Sequence, residues 1–240
     1  MSGHSHFATI KHKKAAADAQ RGKEFSKLAK EITIVARDGG GDPAANSNLR
    51  MVIEKARSIN MPMVNVERAI KKGTGEEAGD QLEEIMVEAY GPGGIALLVS
   101  GITDNINRSM GEIKQALSKN QGKLVGEGAI NWMFERKGVI TIPTEGKDKD
   151  ELELAVIEAG AEDINWLPDG FLEIYTKPTE LAQVQKTLES QGLKSESASL
   201  DWVAKETVTV DEKDKEAALK LFEALDDEEP VQEIYSNLAD

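Results

Sequence analysis

The sequence contains no cysteine, and its three histidines, His4, His6 and His12, all lie near one end. Without thiols there are no disulfides, thiol nucleophiles or thiolate metal sites, and the composition fits a reducing compartment. Beyond residue 12 there is no imidazole to shuttle protons, and no nucleophile or metal-ligand spacing stands out. Carboxylates abound, but with 43 Asp+Glu, paired acids are expected from abundance alone. An enzyme is therefore not expected, and neither is a cofactor. After loss of Met1, Ser2-Gly3-His4 would match a copper- or nickel-binding amine–histidine spacing. It is read as polar surface. No apolar run approaches the ~20 residues of a membrane span, and the first residues lack a signal-peptide core. A cytoplasmic chain with no membrane partner is expected.

What is present is charge, unevenly distributed. The net charge of -14 hides 14 Lys+Arg against 7 Asp+Glu in residues 1–75, and 15 against 36 in residues 76–240. Lys11, Lys13, Lys14, Arg21, Lys23, Lys27 and Lys30 follow one another with only Asp18 and Glu24 between them. Charges farther apart than about 8 Å are largely screened at physiological salt, so a local basic stretch can meet a polyanion despite an acidic whole. A solvated basic helix face is the alternative.

Periodicity orders the rest. Residues 1–20 read as an arm that becomes helical from about Lys11. Residues 22–38 read as a helix with Phe25, Leu28, Ile32 and Val35 on its apolar face. Gly39-Gly40-Gly41 stops it, and Asp42-Pro43 is expected to cap and open a second helix reaching Ile59. A third opens at Pro62 and ends at Gly73, which completes a small bundle. Gly73 to Asp80 is a linker, since no Gly-Lys-Ser/Thr of a phosphate loop is present.

From Glu83 the period changes. IMVEAY and IALLVS flank Gly91-Pro92-Gly93-Gly94 as a hairpin. Asp104 or Asn105 caps the next helix, although Arg108 and the helix-start amides could hold a phosphate. AINWMF reads as a strand, with Ile130, Trp132 and Phe134 on one core-facing side, although the aromatics could instead stack on bases. Residues 138–204 then run strand–helix–strand–strand–helix–strand, the ferredoxin-like order. Gly170 to Tyr175 partly matches an RNA-recognition strand, but Asp169 stands where a basic residue belongs, and the acidic module argues against an RNA platform. Asp226-Asp227-Glu228-Glu229 reads as a solvated turn, although such a row could also mimic phosphate or bind cations. The closing VQEIYSNL needs a sheet to join, and the 83–100 hairpin lacks strands.

The expected class is α+β in three domains: an N-terminal three-helix bundle (1–80), a middle α+β domain (81–135 plus 206–240), and a ferredoxin-like domain (136–205) inserted into it. The runs GHSHFATIKHKKAAADAQRGKEFSKLAKEIT, GGGDPAANSNLR, NMPMVNVERAIKKGTGE, YGPGGIALLV, TDNINRS and SKNQGKLVGEG through NWMFERKG resemble the YebC/PmpR family over essentially the full length. The resemblance implies the same three-domain fold. It also implies a transcriptional regulator that binds DNA, or, as in a mitochondrial translational activator among the relatives, a factor linked to the ribosome and translation elongation. Where the family pattern has Lys-Trp, Pro-Arg and Lys-Asp, this chain has His6-Phe7, Ser47-Asn48 and Met63-Val64.

The expected function is a non-enzymatic regulator of gene expression, contacting nucleic acid through Lys11, His12, Lys13, Lys14, Arg21, Lys23, Lys27 and Lys30. DNA and ribosomal RNA are not separated by charge alone. The acidic domains could serve a ribosomal or other protein partner.

Overall fold

The computed structural model describes residues 18–79, 81–168 and 170–239, with side chains from Arg21 onward. Three helices come first: α1 (Asp18–Gly39), α2 (Ser47–Ser58) and α3 (Met63–Thr74). Leu28, Ile32 and Ala36 of α1 close on Leu49, Val52, Ile53 and Ala56 of α2 and on Val66 and Ala69 of α3. Phe25 and Val35 flank this core as the three- and four-residue spacing predicts. Gly40, at φ 84°, lets the chain leave α1 through the left-handed region. The cap of α2 differs from expectation. Asp42 closes a turn onto Ala44 N, and Asn46 caps the helix, its side chain accepting from Leu49 N at 3.0 Å. Asn46 also donates to Val35 O and Gly40 O, so it ties the end of α1 to the start of α2. An aspartate has no N–H for that second task. Gly73 sets the α1–α3 distance: a Cβ there would lie 2.4 Å from Thr33 O.

The first sheet contains β1 (Glu83–Tyr90), β2 (Ala96–Thr103), β3 (Lys123–Leu124) and β8 (Val231–Ser236), in the order β3-β1-β2-β8. The final strand pairs antiparallel with β2, as its need for a sheet predicts. Helices α4 (Ile106–Lys119) and α7 (Glu212–Asp226) cover one face, packing Ile113, Leu117, Leu221, Phe222 and Leu225 onto Val87, Leu97 and Val99. The opposite face, with Ala96, Leu98 and Tyr235, meets Ile130 and Phe134. Strand β2 is thus buried on both sides, which is why its sequence is a nearly unbroken apolar run.

Between β3 and β8 the chain builds a second sheet from β4 (Phe134–Pro143), β5 (Asp163–Trp166), β6 (Phe171–Thr176) and β7 (Ser197–Ala204), with α5 (Lys149–Ala159) and α6 (Leu181–Ser190) as crossovers. Its order is β5-β6-β4-β7 and every pairing is antiparallel, the ferredoxin-like arrangement. Ile140, Ile142, Leu172 and Ile174 face α5 and α6. Within the Gly170–Tyr175 match, Leu172 and Ile174 are therefore core residues.

The three parts meet around Lys55 of α2. Its ammonium lies 3.5 Å from Glu31 and 3.2 Å from Glu233 of β8. The charge of Glu31, followed by that of Glu233, raises the Lys55 pKa. The Tyr235 hydroxyl reaches Asp201 of β7 at 3.4 Å. Burial first, then the Asp201 charge, hold that phenol well above its ordinary range.

Candidate nucleic-acid interface

Lys23, Lys27 and Lys30 recur at four- and three-residue steps, so α1 carries them on one face. That face is engaged. Lys23 Nζ donates to Asp227 Oδ1 at 3.0 Å, and Lys30 Nζ donates to Glu229 Oε1 at 2.5 Å. Between them, Lys27 Nζ donates to Asp226 Oδ1 at 2.7 Å and to the Asp226 carbonyl at 3.0 Å. Asp226 ends α7, so the Lys27 ammonium also sits at the negative end of that helix dipole. The seam is dry at its centre and wet at its flanks: the Lys27 side chain is 9% exposed, whereas those of Asp227 and Glu229 are 85% and 64% exposed. The acidic row is thus not a turn facing only solvent. Asp226, Asp227 and Glu229 are compensated by lysines about 200 residues earlier, which no local pattern reveals.

Arg21, at the start of the same helix, is also engaged. Lys11, His12, Lys13 and Lys14 lie outside the described residues, as does the Ser2-Gly3-His4 spacing.

A second group of cations escaped the sequence reading. Arg50 and Arg57 of α2, and Arg68, Lys71 and Lys72 of α3, are exposed, and none has an ion pair among the described residues. Arg50 Nη1 donates to Pro43 O at 3.1 Å. Arg50 and Arg57 edge a groove of about 360 Å³ floored by Ile53, Val66 and Ile70. Their seven-residue separation, and the Arg68-to-Lys72 cluster at helical steps, were available signals. They were outweighed by the denser basic run before them. Met63, which lines this groove, and its neighbour Val64 are 42% and 63% exposed.

Arg108 belongs to its own helix start. It donates to Asp104 Oδ1 at 2.5 Å, while Asn105 Oδ1 accepts from Arg108 N as the cap. The capping reading accounts for these residues. Trp132 is a correction: residues 131–133 form a 3-10 turn rather than a strand, and Trp132 is 67% exposed while Ile130 and Phe134 are buried. The turn is set by Glu88 of β1, a carboxylate only 5% exposed. Glu88 accepts from Gly128 N at 2.6 Å, Ile130 N at 2.5 Å and Asn131 N at 3.0 Å. Burial alone would push its pKa up, but these backbone N–H groups outweigh it and hold the carboxyl below its ordinary value. Lys205 Nζ closes the loop onto Trp132 O at 2.8 Å. Among the described residues, no Asp/Glu group is arranged to hold a metal ion, and no helix is long and apolar enough to cross a membrane.

Two family models match the chain: "TACO1/YebC protein N-terminal domain" over residues 5–76, and "TACO1/YebC second and third domain" over residues 82–238. A relative from Halothermothrix orenii is 50% identical over 240 residues, covering 99% of this chain and 94% of its own. One from Petrotoga mobilis is 51% identical over 238 residues, covering 99% and 94%. Both are named "probable transcriptional regulatory protein". The crystal structure of a conserved hypothetical protein from Aquifex aeolicus superposes with a TM-score of 0.89 at 44% identity, covering 98% of this chain and 97% of that one.

Proposed function

Because the chain belongs to the TACO1/YebC family, we propose that it is a non-enzymatic regulator of gene expression that binds nucleic acid through its basic N-terminal part. The observation that supports this most is the lysine row of α1, in which each of three ammonium groups already holds a carboxylate at 2.5–3.0 Å. A helix face that seats a row of carboxylates has the chemistry to seat a row of phosphates. Arg57, Arg68, Lys71 and Lys72 add exposed positive charge on the same bundle. The names of the relatives support transcription as the process, and DNA is the nucleic acid we assign to it. The site of action is then the cytoplasm, and the acidic sheets are left for protein partners.

The test is a titration of the full chain with a duplex DNA and with a folded RNA of equal length, across a salt series. Each phosphate neutralised contributes about -0.9 to the log–log slope on duplex DNA and about -0.7 on single strands. Replacing Lys11, Lys13 and Lys14 by Gln should weaken binding and flatten the slope. Salt-independent binding overturns the proposal, and binding confined to the RNA moves the assignment from transcription to translation.

A further inference from the structure

The seam between α1 and the acidic row has a property that a simple joint between two parts of a fold does not need. Three lysines in succession on one helix meet carboxylates from one short segment: Asp227, Asp226 and Glu229 in turn. We infer that the acidic segment 226–229 is a built-in stand-in for phosphates, occupying the lysine face of α1 until a nucleic acid displaces it. This rests on the proposal above that α1 contacts nucleic acid.

The gradation of burial supports exchange. The Asp227 and Glu229 side chains are 85% and 64% exposed, so a phosphate can approach Lys23 and Lys30 from solvent while the Lys27–Asp226 pair still holds. The lysines themselves permit it. An ammonium is a compact point charge with rotatable donors, and it swaps a carboxylate for a phosphate oxygen without the planar match an arginine fork demands. The exchange also filters ligands. A free nucleotide brings few charges and meets a face already neutralised. A duplex brings one negative charge per about 1.7 Å of axis and can replace all three carboxylates together. The occupant that opens the seam is therefore a nucleic acid of high linear charge density.

The experiment compares three full-length proteins: wild type, Asp227→Asn/Glu229→Gln, and Glu145→Gln/Glu158→Gln. The last changes net charge equally at two exposed residues of the second sheet's surroundings. Each is titrated with a duplex DNA and a folded RNA between about 50 and 200 mM salt. The seam variant should bind roughly threefold to tenfold more tightly than wild type, as expected for freeing lysines from two exposed ion pairs. The control should stay within about twofold of wild type, since surface charges beyond a Debye length are screened. If wild type binds and the seam variant binds no more tightly than the control, the seam is a fixed joint and the inference is overturned. If no folded variant binds either nucleic acid, the parent proposal fails, and the inference with it. A second readout uses the absence of native cysteine. A spin label on Glu228→Cys should gain mobility when nucleic acid binds, and unchanged mobility at saturation overturns the inference.

Discussion

Glu88 and Lys27 are both charges largely withdrawn from water, and the molecule compensates them in opposite ways. Glu88 is surrounded by backbone N–H groups of Gly128, Ile130 and Asn131, all from one nearby loop. Those donors are built into the loop, and nothing from solution can take the place of the carboxylate without unmaking it. Lys27 is met instead by a carboxylate, that of Asp226, across most of the chain. A carboxylate partner has chemical equivalents in solution, and phosphate is the most abundant in a polyanion. One region is therefore pinned and the other exchangeable, although both contain a desolvated charge.

That contrast can be broken or sharpened by substitution, beginning with the largest effect. Glu88→Gln should cost about 2–4 kcal/mol in urea unfolding, because one amide oxygen cannot serve three backbone N–H donors at charged strength, one of them buried. The loss should also depend on pH. The folded-state pKa of Glu88 is lowered, so its stabilisation is present above the unfolded value near 4.3 and disappears as pH falls through the folded one. The gap between wild type and Glu88→Gln should thus narrow on acidification. A gap that widens would place the carboxyl in the opposite regime. Lys27→Met should cost about 1–3 kcal/mol, and 0.5 M salt should change that little, because the pair is mostly shielded. Lys23→Gln and Lys30→Gln should each cost less than about 1 kcal/mol in stability. Yet each should lower the salt slope of duplex binding by about 0.9, separating affinity from stability at the wet flanks. Trp132→Ala should shift stability by no more than about 0.5 kcal/mol despite removing the largest side-chain type, and thermal unfolding checks it.

The local features were legible because they repeat at fixed periods. Phe25, Leu28, Ile32 and Val35 announce α1, the flanks of Gly91–Gly94 announce the β1–β2 hairpin, and the order of elements after Gly138 announces the second sheet. Even the return of β8 followed from the need to complete a sheet. What stayed hidden depends on contacts without a period. Trp132 shares a period-two face with Ile130 and Phe134, so it reads as a core residue until Glu88 draws the loop amides inward and turns the chain. Asp42 and Asn46 are both good helix caps, and only the second job of Asn46, donating to Val35 and Gly40, selects it. Of the candidate site, the lysine stripe was visible and its acidic counterpart was visible, but not that they meet. Attraction between residues 23–30 and 226–229 leaves no mark on either local pattern.

Gly73 bears on how such a seam can part. With no room for a methyl group between it and Thr33, α3 is mortised into α1 at backbone contact. The helix that carries Lys23, Lys27 and Lys30 cannot peel away alone, and must move with its neighbours as one block. The lysine row therefore keeps its spacing, and it is the carboxylates of residues 226–229 that must give way to a ligand. A bulkier residue at position 73 would loosen that mortise, and with it the fixed placement of the row.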